Sequence, residues 1–231
     1  MAIDEPEVMT ERAMELLKMG FKVIKLKVGA GFEDDVKRIR AVWDAIGDKA
    51  TLRIDPNAGW TRYETVRLFK CLPELEIEYL EQPIEGWDLD GMAEIKRATG
   101  VTLMADESVW APQDVASIAL KNAADIVNIK ITKAGGLYKS VKINTVAETF
   151  GLPCIVGTEL EPSVGIPAKL HLAASLKRLE FACEFTELAF LRDNLLKNRI
   201  KVENGYLGVP IGVGFGVEAD MKKIDAYRRD I

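Results

Sequence analysis

The residues best suited to chemistry are two lysines separated by one residue, Lys25 and Lys27, in the apolar run Phe21–Gly29. In an extended chain alternate side chains share a face, so both amines project to one side and Ile24, Leu26 and Val28 to the other. Each ammonium makes it easier for its neighbour to lose a proton, and burial acts in the same direction. A lysine with a lowered pKa is a usable general base near neutral pH. Such a pair is stable only beside negative charge, which the chain supplies at Asp55, Glu81 and Asp106, before a further lysine at Lys130. Three converging carboxylates repel one another, and a hard divalent cation relieves that repulsion. All-oxygen ligation favours Mg²⁺ over zinc. With Lys27 and Lys130 on either side of the trio, the expected reaction is removal of a proton from the carbon next to a carboxylate. The metal binds that carboxylate and stabilises an enediolate. One lysine takes the α-proton, and the other returns a proton to the opposite face or helps stabilise the intermediate. Lys25 offsets the acidic charge and depresses its neighbour's pKa.

Regular elements must bring these residues together. Short apolar strands end near Lys27, Asp55, Glu81, Asp106, Lys130, Gly157 and Glu184, at steps of 28, 26, 25, 24, 27 and 27 residues. Amphipathic helices are expected between them, over about 33–46, 63–71, 89–99, 112–121, 137–150 and 164–176, with a first helix capped by Asp4 and holding Pro6 in its opening turn. Strict alternation predicts a parallel sheet, and the even βα period favours a TIM-type (β/α) barrel over a doubly wound sheet. Active sites sit on the rim formed by the C-terminal strand ends of such a barrel, and six of the seven ends here carry an ionisable residue. Closure needs eight strands. The missing one should precede Asp4, where only Met1, Ala2 and Ile3 stand. The expected division is a barrel over 1–190 and a glycine-rich tail over 191–231, with a hairpin turn at Asn204-Gly205 and a short helix from Met221 to Arg228.

The 231 residues carry 31 Lys+Arg against 36 Asp+Glu, a net charge of −5 that argues against nonspecific nucleic-acid binding. A hydrophobic share of 48% supports a sizeable core, and no apolar run approaches membrane-spanning length. No signal peptide opens the chain, and the dispersed Cys71, Cys154 and Cys183 read as reduced, mostly core residues of a cytoplasmic protein. The single histidine, His171, excludes mechanisms that need two.

The segments IKLKVG, LRIDPNAGW, YLEQPI, LMADES and VNIKITKAGG together resemble the enolase superfamily, and within it the muconate lactonizing (muconate cycloisomerase) subgroup. The resemblance covers roughly residues 4–220 and implies a (β/α)7β-like barrel with its first strand largely missing. It implies Mg²⁺ ligands at Asp55, Glu81 and Asp106, Lys27 and Lys130 as the acid/base pair, and Lys25 as an electrostatic neighbour. Glu184, in ACEF, matches a glutamate of muconate lactonizing enzymes on the eighth strand. Dipeptide epimerases place an Asp-x-Asp pair there, whereas this chain has Glu184-Phe185-Thr186, which disfavours that activity. Mandelate racemase chemistry is disfavoured too, since Gly157-Thr158-Glu159 stands where a histidine would be needed. The resemblance further implies an α+β capping domain before the barrel, absent from this sequence. The expectation is that the polypeptide keeps its metal-site residues with weak or no turnover, that its tail has lost the surface it packs on, and that two strand edges are left unpaired. The alternatives are an amino-acid or N-acylamino-acid racemase of the same superfamily, and a noncatalytic barrel serving as a scaffold or binding module. A small carboxylate substrate and a homo-oligomer are the expected partners.

Each residue also has a plainer reading. Lys-x-Lys alone marks an exposed edge strand, and a lone Asp or Glu is a helix cap or a surface ion pair. Three acids in succession at matching strand ends tell against that. Glu107 and Asn128 read as hydrogen-bonding support, Lys133 as a loop cation, and His171 as structural. Glu159 and Glu161 face either substrate or solvent. Trp60, Trp87 and Trp110 either wall the pocket or shield loops. The tail glycines resemble no phosphate loop.

Overall fold

The computed structural model describes residues 1–185, 191, 193–203 and 205–229. Strands and helices alternate as β1 (Val23–Lys27), β2 (Thr51–Asp55), β3 (Tyr79–Glu81), β4 (Leu103–Ala105), β5 (Ile126–Ile129) and β6 (Cys154–Val156) between helices α1 (Pro6–Lys18), α2 (Phe32–Ile46), α3 (Arg62–Cys71), α4 (Leu89–Thr99), α5 (Pro112–Lys121), α6 (Ile131–Ala134), α7 (Leu137–Thr149) and α8 (Ile166–Ser175). The six strands form one parallel sheet in chain order, β1 to β6. Each strand therefore pairs with its sequence neighbours, as in an arc of a (β/α) barrel.

Period-two alternation gives the sheet two different faces. Ile24, Leu26, Leu52, Ile54, Leu80, Leu103, Val127, Ile129, Cys154 and Val156 belong to the main core, together with apolar residues of the helices. On the other face Tyr79, Met104, Ile126 and Ile155 form a small second cluster, against which Phe181 and Cys183 pack. The register pairs Lys25 with Arg53, Lys27 with Asp55 and Arg53 with Tyr79. The inner face thus changes along its length, from an apolar floor to a charged layer at the strand ends.

Several expectations are corrected. Seven strands were expected, but the run Leu179–Glu184 forms no regular strand. It lies along β6 through two separated main-chain bonds, Cys154 N to the Arg178 carbonyl (3.2 Å) and Glu184 N to the Val156 carbonyl (3.1 Å). Between them the Val156 amide bonds the Cys183 sulfur at 3.3 Å, so a side chain takes the place of a ladder carbonyl. At the N-terminus Glu5, not Asp4, stands at the cap of α1, and Asp4 instead ion-pairs Arg12 at 3.1 Å. Met1 does lie beside β1, accepting from the Lys27 amide at 3.1 Å. The segment after Lys130 is not a loop but the short helix α6. Cys71 is exposed rather than in the core, and all three thiols are free.

In the tail, β7 (Val202–Glu203) and β8 (Tyr206–Leu207) make the expected antiparallel hairpin, and Asn204 of its turn lies outside the described residues. The tail is tied back by Leu195 N donating to Ser163 Oγ (2.7 Å), and within it Lys223 of α9 (Met221–Tyr227) pairs with Asp193 (2.7 Å). Among the described residues no helix is long and apolar enough to cross a membrane.

The loops leaving β1 and β2 are clamped by Asp35 of α2, which is fully buried. One carboxylate oxygen accepts from Gly29 N (2.8 Å) and Trp60 Nε1 (3.0 Å), and the other from Arg38 (3.0 Å). Gly29 has φ +101°, and a Cβ there would sit 2.3 Å from the Pro56 carbonyl oxygen, so the two loops touch backbone to backbone. Asp35→Ala removes the clamp and leaves Arg38 without its counterion. A loss of about 3 kcal/mol is expected, read as a lower urea midpoint at unchanged slope. A midpoint equal to the parent's would dismiss the clamp.

Candidate active site

All seven expected site residues converge on the inner face at the strand ends. Lys25 Nζ lies 2.9 Å from Asp55, 2.5 Å from Glu81 and 2.7 Å from Glu184. Lys27 Nζ meets Asp55 Oδ2 at 2.5 Å, and Lys130, just past β5, meets Asp106 Oδ2 at 2.6 Å. Asp55, Glu81 and Asp106 are almost wholly buried. The two lysines cast as acid and base therefore enter from different strands, one at each flanking carboxylate, with Glu81 on the strand between Asp55 and Asp106.

Burial and ion pairing compete here, and the winner differs from group to group. Burial opposes the charge on Asp55, but Lys25 and Lys27 outweigh it and hold the carboxyl below its usual range. Burial also opposes Asp106, and Lys133 with Lys130 overcomes it, lowering that carboxyl to about 2. Glu81 goes the other way. Burial and the nearby Asp55 push it well above the carboxylate range, because Lys25 is shared among three acids. The lowered pKa expected within the lysine pair is not found at Lys25. Burial disfavours its charge, yet Glu184, Glu81 and Asp55 together hold the ammonium well above the ordinary lysine range. Lys130 is likewise raised, since Asp106 outweighs its burial.

Supporting residues complete the site. Asn128 Nδ2 donates to Glu81 Oε1 at 3.0 Å, in the supporting role expected of it. Asn57 accepts from Lys27 Nζ (2.6 Å) and donates to Glu107 Oε1 (3.0 Å), linking the first lysine to the β4 loop. Burial and Asp106 raise the Glu107 carboxyl. Gln82, fully buried at φ +27°, accepts from Asp106 N (3.0 Å), Ser108 N (3.2 Å) and Ser108 Oγ (3.0 Å), so it joins the ends of β3 and β4. Asn57 and Gln82 sit in the quoted motifs, yet nothing in their types singled them out. Lys133 is no loop cation: it meets Asp106 Oδ1 at 2.5 Å with its side chain 6% exposed. Its signal was the helical i, i+3 spacing from Lys130. Trp60 is buried with its Nε1 donating to Asp35, while Trp87 and Trp110 are exposed. Glu161 pairs with the buried Lys169 (2.9 Å), and Glu159 accepts from Thr132. His171 packs against Phe215 of the tail, as a structural role requires.

Among the described residues no group of three acids, thiols or imidazoles is arranged to hold a metal ion as it stands. Each acid is turned onto an amine instead. The donor set nevertheless fits a hard divalent cation. Asp55, Glu81 and Asp106 offer only carboxylate oxygens, and the buried Glu81 Oε2, although close to the Lys25 ammonium, makes no hydrogen bond. With Glu107 and Glu184 the site has one more carboxylate than the four lysines balance, and the neutralising pull of burial falls on Glu81.

Gly157 shows how tightly this layer is packed. A Cβ there would lie 2.2 Å from Asn128 Oδ1, the side chain that serves Glu81. Gly157→Ala is expected to cost about 1–3 kcal/mol by forcing Asn128 aside. In an Asn128→Ala background the same change should be nearly neutral. A denaturant double-mutant cycle reads the difference, and equal costs in both backgrounds would refute the conflict.

Residues 8–223 match the family model described as enolase C-terminal domain-like. The hydrophobic dipeptide epimerase of Enterococcus faecalis is 39% identical over 180 residues, 78% of this chain and 51% of that protein. Muconate cycloisomerase 1 of Rhodococcus opacus is 34% identical over 227 residues, 97% of this chain and 61% of that protein. The crystal structure of the E. faecalis dipeptide epimerase complexed with Mg and the dipeptide L-Leu-L-Tyr matches with a TM-score of 0.88 at 35% identity, over 94% of this chain and 62% of that one. The chain thus spans about half to three fifths of the length of these relatives. The family match runs over nearly the whole chain: this protein belongs to the enolase C-terminal domain-like family.

Proposed function

We propose that this chain carries the proton-transfer site of an isomerase acting at the carbon α to a carboxylate. The observation that supports it best is the opposed placement of Lys27 and Lys130, each on a flanking carboxylate of the Asp55, Glu81, Asp106 row. Those three carboxylates would hold Mg²⁺, which when bound supplies positive charge that acidifies the α-proton and offsets charge on the substrate carboxylate. Lys27 Nζ and Lys130 Nζ act as base and conjugate acid on opposite faces of that carbon. Both are tied to carboxylates as they stand, so either becomes a base only as Asp55 or Asp106 is engaged elsewhere. Lys25 keeps its proton and steadies the acidic row, held in place by Glu184.

Within this chemistry, muconate-type cycloisomerisation is the first reading, carried by the single acid Glu184 in place of an Asp-x-Asp pair. Thr186, the third residue of that comparison, lies outside the described residues. Epimerisation of a dipeptide or racemisation of an N-acylamino acid is the second, favoured by the 39% identity to a dipeptide epimerase. That relative offsets the case against epimerases made by Glu184-Phe185-Thr186.

Lys27→Ala and Lys130→Ala are each expected to slow α-proton exchange in D₂O by about 10²–10⁴-fold. Undiminished exchange in both variants would leave only a scaffold. Deuterium in both recovered substrate enantiomers indicates epimerisation, and its absence alongside lactone formation indicates cycloisomerisation. Magnesium at about a hundred times its Kd should stabilise the chain by about 2.7 kcal/mol in thermal unfolding, and Glu81→Gln should abolish that gain. A magnesium effect that survives Glu81→Gln would remove Glu81 from the ligand set.

A further inference from the structure

The sheet order raises a positional problem. Lys25 stands on β1, at one end of the sheet, whereas Glu184 follows a segment that lies along β6, at the other end. Their 2.7 Å ion pair bridges the seam of the barrel. The segment that delivers Glu184 lacks a continuous ladder to β6: among its described residues, Arg178 and Glu184 alone make main-chain bonds to that strand. Something else must fix residues 181–183 in between.

Arg53 of β2 reaches across the interior to that segment. Its Nη1 donates to the Ala182 carbonyl at 2.8 Å, and its Nε donates to Glu78 Oε2 at 2.5 Å. The guanidinium lies 4.6 Å from the Tyr79 ring centroid, and Tyr79 in turn meets Phe181 edge-on, with centroids 6.1 Å apart and planes at 83°. One planar cation is thus held by β2 and β3 and grips the main chain two residues before Glu184. Arg53 is 2% exposed, and its Nη2 has no hydrogen-bond partner. A buried charge with an unmatched donor is costly, and an apolar side chain would fill the place at lower electrostatic cost. Stability is therefore a poor account of an arginine here, whereas a planar group with several fixed N–H donors can hold Glu78 and the Ala182 carbonyl at once.

We propose that Arg53 is a positioning residue: by holding the Ala182 carbonyl it fastens the irregular 179–185 segment across the barrel and seats Glu184 on the Lys25 ammonium. Among the described residues its polar and ring contacts are Glu78, the Ala182 carbonyl and Tyr79, not the expected acid and base. Its effect on turnover rests on the proton-transfer reading above, but its effect on the segment does not.

The three cysteines provide a test that needs no activity. Cys183 lies inside the fastened segment with its sulfur on the Val156 amide, Cys154 is buried on β6, and Cys71 is exposed. Iodoacetamide labelling of the folded full chain, resolved by peptide mass spectrometry, reports each separately. Arg53→Met should raise the Cys183 rate by about tenfold or more, with Cys154 still protected and Cys71 unchanged. Arg53→Lys keeps the charge but not the fork, and should give a smaller rise in the same order. It also serves as the readable variant if Arg53→Met does not fold. A Cys183 rate unchanged in the readable variants, or one that rises only together with Cys154, overturns the proposal. For turnover, Arg53→Met should lower the α-proton exchange rate in the parent and add little to the loss in Glu184→Gln. Additive losses would detach Arg53 from Glu184. If the parent itself shows no exchange, the reaction reading fails while the labelling result still decides the positioning claim.

Discussion

The rim is governed by one electrostatic constraint: carboxylates on neighbouring strands are brought together at buried positions. A parallel sheet with period-two alternation aims Asp55, Glu81 and Asp106 into the same interior. Buried charges of one sign are tolerated only when countercharge arrives with directional bonds. The chain brings that countercharge from three places: Lys25 and Lys27 on β1, Lys130 just past β5, and Lys133 on α6. The amines that make the acids tolerable are the same groups that could move protons. Structural necessity and chemical competence therefore rest on one set of contacts, and Glu81, with the weakest share of countercharge, is where the balance is least complete.

The rest of the architecture serves this layer. The helices bury one face of each strand in an ordinary apolar core, which leaves the other face free to carry polar groups. Beneath the charged layer, Tyr79, Met104, Ile126 and Ile155 close the interior with apolar side chains and keep the dielectric low under the acids. The loops are then trimmed to fit. Asp35 fixes the exits of β1 and β2, Gln82 fixes those of β3 and β4, and Gly157 leaves room for Asn128.

Much of this was legible in the sequence, for reasons that can be stated. Lys25 and Lys27 declared a shared face because side chains on a strand must alternate. The recurrence of acids near every twenty-fifth residue declared a common rim because βα units repeat at that length. What stayed hidden depends on tertiary approach. Gln82 and Asn57 are ordinary amides until the neighbouring loop is in place. Lys133 needed the knowledge that a helix starts at Ile131, and Trp60 looked like a rim aromatic because its partner, Asp35, is 25 residues away. The run Leu179–Glu184 has the composition of a strand, but a sulfur at Cys183 accepts the bond that a carbonyl would have taken, and the ladder is interrupted there. At Lys25 the neighbouring amine counts for less than the three acids around it, so its pKa rises where a lone lysine pair would lower it.

One feature of the seam reaches beyond the chemistry. Among the described residues the two ends of the sheet are joined by no strand pairing, and Lys25 with Glu184 spans the gap by side chains alone. A main-chain ladder is indifferent to what enters the cavity, but a charged fastening is not. Any cation or anion that competes for either partner loosens the hoop, and any that reinforces them tightens it. A ligand in the interior would therefore act on the wall through the same polar contacts that close it, Lys25 with Glu184 and Arg53 with the Ala182 carbonyl.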